Sequence, residues 1–261
     1  MPVLPLSPGG RRYGFKKSIP DPRTLKASEA FALGVPIPPA VDLEEWCGPV
    51  KDQGQEGSCT AHAGTENHEF LFRKLKDQPL IFSPQFLYYK EREMDDDLPG
   101  DNGSYGHTAV RVLQKYGCCL TADDPYNPSQ MDTPPTQAQL DEALRYTAGA
   151  YHSINNVDEG KHCIASGFTF LIGFNVYENF ETDIHSDGVM PAPDGSILGG
   201  HEVLVIGYDD NKADSHGRKG FFKVRNSWGS GWGDHGNFYM AYEDFPNVYS
   251  EGWIQHFGKP W

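Results

Sequence analysis

The stretch Pro49-Val50-Lys51-Asp52-Gln53-Gly54-Gln55-Glu56-Gly57-Ser58-Cys59-Thr60-Ala61-His62 decides how this chain is read, because a turn-rich approach ends on one cysteine and then opens a helix. Gly54 and Gly57 mark a loop, Ser58 is a good N-cap residue, and the dozen positions after Cys59 carry no proline and a single glycine, Gly64. A thiol in the first turn of a helix meets the positive end of the macrodipole, which is expected to lower its pKa and favour the thiolate. Free cysteine is more often a small buried hydrophobe. Reading Cys59 as a nucleophile therefore requires a base and an orienting group elsewhere in the chain.

The 261 residues suffice for one large domain or two lobes around a shared interface. With 38% hydrophobic and 13% aromatic residues the composition is globular, and 29 glycines with 20 prolines imply many turns. A formal net charge of -14 argues against nucleic acid as a partner, since phosphate backbones are held by clustered Lys and Arg. The five cysteines, Cys47, Cys59, Cys118, Cys119 and Cys163, are odd in number and form no CxxC pair. Neither a disulfide framework nor a metal site is expected, no cofactor is called for, and a reducing compartment fits. No apolar run suits a signal peptide or a membrane span, so a cytoplasmic protein is expected, with oligomeric state open.

Residues 1–40 are rich in Pro, Gly and basic residues and read as an extended arm whose Tyr13 and Phe15 favour docking on the body. Helices are expected from Cys59 to about Lys76, from Ser83-Pro84, over 104–116 and over 136–146. His62 and Glu66 sit at i, i+4 as an exposed or half-buried pair without metal role. The acidic run Asp95-Asp96-Asp97 with Asp101 fails as a calcium loop and reads as solvated. From residue 148 onward the periodicity turns to β, with strands over 168–177, 201–208, 220–226 and 236–242 and a polar surface loop over 209–219. The chain is thus α+β: a domain over 41–261, helical in about 50–147 and sheet-based in about 148–261, with the site in the cleft between lobes.

Imidazole is the side chain best matched to deprotonating a thiol near neutral pH. His201 stands out because Leu198-Gly199-Gly200-His201-Glu202-Val203 puts it at a strand start after two glycines. His107, His152, His162, His185 and His216 lack such framing and are expected at the surface. The third group appears in Val224-Arg225-Asn226-Ser227-Trp228-Gly229. An asparagine oxygen can accept the imidazole N–H without adding charge, and Trp228 can shield that bond from water.

On these motifs the chain resembles the papain-like cysteine peptidases, family C1, and especially their bacterial branch, over residues about 40–243. The likeness rests on Pro49-Val50-Lys51-Asp52-Gln53-Gly54, Gly200-His201, Asn226-Ser227-Trp228-Gly229-Ser230-Gly231-Trp232-Gly233 and, more weakly, Asp101-Asn102-Gly103-Ser104-Tyr105 and Asp124-Pro125-Tyr126. The resemblance implies a two-lobe fold with an antiparallel β-sheet or barrel in the second lobe, and hydrolysis of peptide or protein substrates through an acyl-enzyme. It implies Cys59 as nucleophile, His201 as base and acid, Asn226 as orienting residue, Gln53 as oxyanion donor, and Gly103, Ser104, Tyr105, Glu202 and Trp228 as substrate-binding positions. Where the family signature reads Cys-Gly-Ser-Cys-Trp, this chain has Glu56 in place of a disulfide cysteine and Thr60 in place of an aromatic wall. Glu202 beside the histidine implies a taste for Lys or Arg two residues before the cut. The long helical propeptide of many relatives has no counterpart, and the arm over 1–38 is a candidate plug. A catalytically silent peptide-binding homologue and an acyl transferase or ligase are the competing functions.

Overall fold

The structure is a computed structural model that describes residues 4–31, 33–184 and 187–257. In chain order its strands and α-helices are β1 (Phe15–Lys16), β2 (Ala40–Asp42), α1 (Cys59–Lys76), α2 (Pro84–Met94), β3 (Ser104–Tyr105), α3 (Gly106–Lys115), α4 (Gln137–Ala143), β4 (Tyr151–Ser153), α5 (Val157–Ala165), β5 (Phe170–Tyr177), α6 (Glu178–Thr182), β6 (Ile197–Ala213), β7 (Lys219–Arg225), β8 (Asn237–Ala241), α7 (Phe245–Val248) and β9 (Tyr249–Gln255). Helices fill the first lobe. The second lobe is a sheet ordered β4-β9-β5-β6-β7-β8, every neighbouring pair antiparallel, with β2 added along β6.

Local chemistry sets the helix ends. Ser83 Oγ accepts the Phe86 N–H at 3.0 Å and Pro84 takes the first helical position of α2, where a missing N–H costs nothing. Thr136 and Gln139 close a capping box that starts α4. Helix α1 has Arg73, Lys74 and Lys76 in its last turn, complementing the negative end of its dipole, and stops at Asp77 in the left-handed conformation.

Helix α1 is buried from Cys59 through Phe72, because it packs against α2, α3 and β6 and so has no free face over its first turns. The His62 and Glu66 pair is therefore fully buried rather than exposed. Polar side chains on α1 are matched by neighbours: Lys51 Nζ lies 2.6 Å from Glu69, Thr169 donates to Asn67 at 2.7 Å, and His68 Nε2 meets the Tyr146 carbonyl at 2.7 Å.

Strand β6 runs to Ala213, well past Tyr208, because β2 pairs with its Gly207–Asp209 segment and β7 follows it to Ala213. Only Asp214–Arg218 remains as a turn, held by Arg218 on Asp214 and Asp244, 2.6 Å each. His152 and His162 are buried, the first in β4 near His256 and the second on the inner turn of α5, whereas His185 lies outside the described residues. Apolar side chains gather in two main clusters, one under the sheet around Phe170, Phe174, Phe222 and Phe238 and one in the helical lobe around Phe72, Phe82, Phe86 and Leu113. All five cysteines are free thiols. No helix among the described residues is long and apolar enough to cross a membrane.

Candidate active site

The first turn of α1, the start of β6 and the exit of β7 meet at the seam between lobes. Cys59 is the first residue of α1 and is fully buried, with the Glu202 and Gly14 backbones bearing on its sulfur. Across β6 and β7, Leu204 pairs with Arg225, which brings Asn226, just past the end of β7, beside His201, four residues inside a β6 that already starts at Ile197. His201 Nε2 lies 2.8 Å from Asn226 Oδ1, and the Trp228 ring stacks on the imidazole at 5.0 Å. Because an amide oxygen only accepts, Nε2 carries the proton and Nδ1 is the basic nitrogen. Nδ1 is buried and has no hydrogen-bond partner among the described residues. Gln53 is buried in the loop before the helix. Its Oε1 accepts from Ser227 Oγ at 2.6 Å, its Nε2 donates to the Glu56 carbonyl at 2.8 Å, and its backbone N–H bonds the Ser227 carbonyl at 2.9 Å. The loop of the first lobe is thus tied to the Asn226-Ser227-Trp228 corner of the second.

Ionisation departs from the expectation based on the helix dipole. Burial pushes the Cys59 thiol up to about 12, although the Glu202 and Gly14 backbones hydrogen-bond the sulfur and pull the other way. Burial likewise draws His201 down to about 4, against the opposing hydrogen bond from Asn226. A helix terminus contributes about 0.3 to 2 kcal/mol, whereas full burial moves a pKa by up to about 3 to 5 units at 1.36 kcal/mol each. Desolvation wins, and the site rests as neutral thiol and neutral imidazole. Ser58 precedes the helix as expected, but its side chain does not cap it: Oγ turns to His62 Nδ1 at 3.2 Å and Tyr126 Oη at 3.0 Å.

What covers the site is the N-terminal arm. Gly14 bridges Gly200 in parallel, β1 pairs in parallel with β3, and Ser104 N–H donates to the Gly14 carbonyl at 2.9 Å. A Cβ on Gly14 would fall 1.7 Å from the Gly57 carbonyl oxygen, so only glycine fits between arm and nucleophile loop. Tyr13 and Phe15 are 8% and 6% exposed. Tyr13 Oη donates to Glu181 at 2.5 Å and its ring meets His201 edge-on. Arg11 lies over the Trp228 ring at 4.7 Å, Arg12 donates to the Gln55 carbonyl at 2.8 Å, and Lys16 pairs with Asp97 while facing the Tyr105 ring. Gly103, Ser104, Tyr105 and Trp228 therefore all border the arm.

Glu202 is reached only partly by sequence logic. Gly173 on β5 stands opposite Glu202 on β6 and Glu251 on β9, so both side chains share one face and flank the gap that the glycine leaves. The Phe15 ring fills that gap, 2.1 Å from where a Gly173 Cβ would be. Both Glu202 oxygens are buried without hydrogen-bond partners among the described residues, and burial with the nearby Glu251 and Glu91 raises its pKa well above the usual carboxylate range. Thr60 is no cleft wall: it is buried and donates to Glu91 at 2.6 Å. Asp101 is not solvated either, since it accepts the Gly57 N–H at 2.9 Å and Tyr88 Oη at 2.6 Å. Glu91, Asp101, Tyr126 and Glu251 were missed because their neighbours are distant in sequence. Asp101 and Tyr126 carried a signal, in Asp101-Asn102-Gly103-Ser104-Tyr105 and Asp124-Pro125-Tyr126.

The buried ionisable groups fix a pH response. Burial raises Glu66 to about 7 and raises Glu91 and Glu202 well above the usual range, so the fold holds their protonated forms. That stability is fully present below the unfolded carboxylate pKa and is lost as pH rises through the folded values. His62, His68 and His201, drawn down by burial to about 3, 4 and 4, destabilise only as pH falls below about 6.5. Between that pH and the ordinary thiol range the carboxyl groups dominate the change, and the thermal midpoint is expected to fall between about pH 6.5 and 7.5. Glu91→Gln should flatten the slope; a midpoint constant over that window would mean the carboxylates are already ionised.

Residues 37–251 match the family described as papain family cysteine protease. An uncharacterised peptidase C1-like protein of Acanthamoeba polyphaga mimivirus is 29% identical over 94% of this chain and 86% of its own length. A cathepsin B-like protein of Giardia intestinalis is 28% identical over 72% of this chain, which spans 62% of that relative. Among solved structures, xylellain, a cysteine protease from Xylella fastidiosa, superposes with a TM-score of 0.81 at 29% identity, covering 94% of this chain and 96% of its own.

Proposed function

The chain belongs to the papain family of cysteine proteases, and from that premise we propose that it hydrolyses peptide bonds with Cys59 as nucleophile, His201 as base and acid, Asn226 as orienting residue and Gln53 as oxyanion donor. The observation that carries this reading is the 2.8 Å bond from His201 Nε2 to Asn226 Oδ1, which leaves a basic Nδ1 at the seam where Cys59 heads α1. When solvent reaches the pair, the thiol proton moves to Nδ1 and the thiolate attacks the substrate carbonyl carbon. The oxyanion takes hydrogen bonds from the second Gln53 Nε2 proton and from the Cys59 N–H, which at the first helical position has no helical carbonyl to bond. His201 returns its proton to the leaving amine, and water, deprotonated by the same nitrogen, releases the acyl group.

The arm supports a self-inhibited resting form. The Gly14 backbone bears on the Cys59 sulfur, and its carbonyl is engaged by the Ser104 N–H. With the arm withdrawn, Glu202 and Glu251 flank an open notch, and a Lys or Arg side chain entering it would let those carboxyls ionise against a cation. One experiment tests both readings. An epoxide peptide mimic is expected to label Cys59, located by mass spectrometry, and a peptide library is expected to be cut preferentially after sequences with Arg or Lys at the second position before the bond. Absence of both label and cleavage, with and without the arm, would favour the silent binding homologue; equal cleavage of Leu and Arg peptides would sink the basic preference.

A further inference from the structure

The Tyr126 hydroxyl is the meeting point of the loop that delivers Cys59. It lies 2.9 Å from the Gln53 carbonyl oxygen, 2.8 Å from Glu56 Oε2 and 3.0 Å from Ser58 Oγ. Tyr126 comes from a segment 70 positions beyond Glu56. That segment is anchored on the capped start of α2, where Ser83 Oγ donates to the Asp124 carbonyl at 2.7 Å and Asn127 N–H donates to Gln85 at 3.0 Å. The ring stands edge-on against His62 at 4.8 Å. It therefore reaches the loop from a fixed base.

A phenol has one proton to give. It is shared between Glu56 Oε2 at 2.8 Å and the Gln53 carbonyl oxygen at 2.9 Å, both of which accept. Burial raises the Glu56 pKa, while hydrogen bonds from Tyr126 and Ser58 lower it. Glu56 N–H also closes a turn onto the Gln53 carbonyl at 3.2 Å. The hydroxyl thus clamps both ends of the turn from Gln53 to Glu56. The backbone oxygen of Glu56 takes one of the two Gln53 Nε2 protons at 2.8 Å, and Ser227 fixes the amide oxygen at 2.6 Å. Where the Glu56 carbonyl sits decides where the remaining Nε2 proton points.

We propose that Tyr126 is a positioning residue for peptide hydrolysis: through Glu56 and the Gln53 carbonyl its hydroxyl aims the free Nε2 proton of Gln53 at the oxyanion. In this chain the hydrogen bond between Tyr126 and Glu56 braces the loop at the position where the family signature carries a disulfide cysteine. The proposal rests on the peptidase reading given above.

The test is peptide kinetics on the full chain, with active sites counted by epoxide titration. Tyr126→Phe keeps the ring and is expected to lower kcat per titrated site by about 10-fold to 100-fold with KM within about twofold, a part of the loss known for removing an oxyanion donor. On a Gln53→Ala background the same change should cost less than about twofold, because the group being aimed is gone. Glu56→Ala should reproduce the loss and Glu56→Gln, whose amide oxygen can still accept from the phenol, should rescue it; this pair carries the comparison if Tyr126→Phe does not fold. An undiminished kcat, an additive loss on the Gln53→Ala background, or a loss confined to the number of titratable sites would overturn the proposal. A chain that neither cleaves nor takes the epoxide, both with the arm in place and with it displaced, overturns the peptidase reading and this proposal with it.

Discussion

Replacing Cys59 by alanine is expected to lower peptide turnover by about 10⁴-fold to 10⁶-fold, the scale on which loss of a catalytic nucleophile acts. In the proposed mechanism Cys59 and His201 act as a unit, because the thiolate forms as the imidazole takes its proton. His201→Ala should therefore cost nearly as much, and the double variant little more than either single one. The fold should tolerate the change, since a buried sulfur is removed without stranding a hydrogen-bonded charge. Measuring kcat/KM for the two single variants and the double variant decides the matter. Additive losses, or a Cys59→Ala chain retaining turnover, would assign the chemistry to other groups.

Opening the cleft is expected to raise kcat/KM by about a hundredfold. Truncation at residue 38 is a poor way to do it, because Ala27 and Phe31 belong to the main apolar cluster and would be lost with the arm. Gly14→Val is cleaner. Any side chain there collides with the Gly57 carbonyl, so the arm must lift while the rest of the chain stays intact. A closed-to-open ratio of about 100 to 1 corresponds to about 2.8 kcal/mol, within reach of burying Tyr13 and Phe15 at about 1.5 to 3 kcal/mol each. Only the open fraction binds substrate, so its apparent rate constant scales with that fraction. Re-solvation should also return Cys59 and His201 toward their ordinary pKa values and permit the ion pair. Progress curves for Gly14→Val beside the parent chain test this; unchanged kinetics would show that the arm is no plug.

Much of the scaffold is legible locally. Ser83-Pro84 writes the start of α2 and the near-continuous apolar run over Phe170–Tyr177 writes β5, because caps and short apolar runs are read from residues a few positions apart. The helix expected over 104–116 is observed as Gly106–Lys115. Strands β1, β2, β4 and β9 and helix α5 escape notice. The first three are only two or three residues long and exist through their partners, Tyr249–Gln255 mixes Gly, Glu and Gln with its aromatics, and Val157–Ala165, although capped by Asn156, is a short helix of nine residues. The polar run over 209–219 looks like loop in isolation, yet its first half is strand, since β2 and β7 supply the ladder it needs.

By itself the sequence determined the α+β class, the helix that starts at Cys59, the family likeness, and the residues Gln53, His201 and Asn226 as a set to be brought together. Tertiary structure alone decided that Cys59 is a buried thiol, that Glu202 faces Glu251 across Gly173 beneath Phe15, and that Tyr126 grips the nucleophile loop. The division has a physical cause. Capping, periodicity and turn formation depend on neighbours within about one helical turn, whereas desolvation and hydrogen-bond partnership depend on which distant segments exclude water from a group.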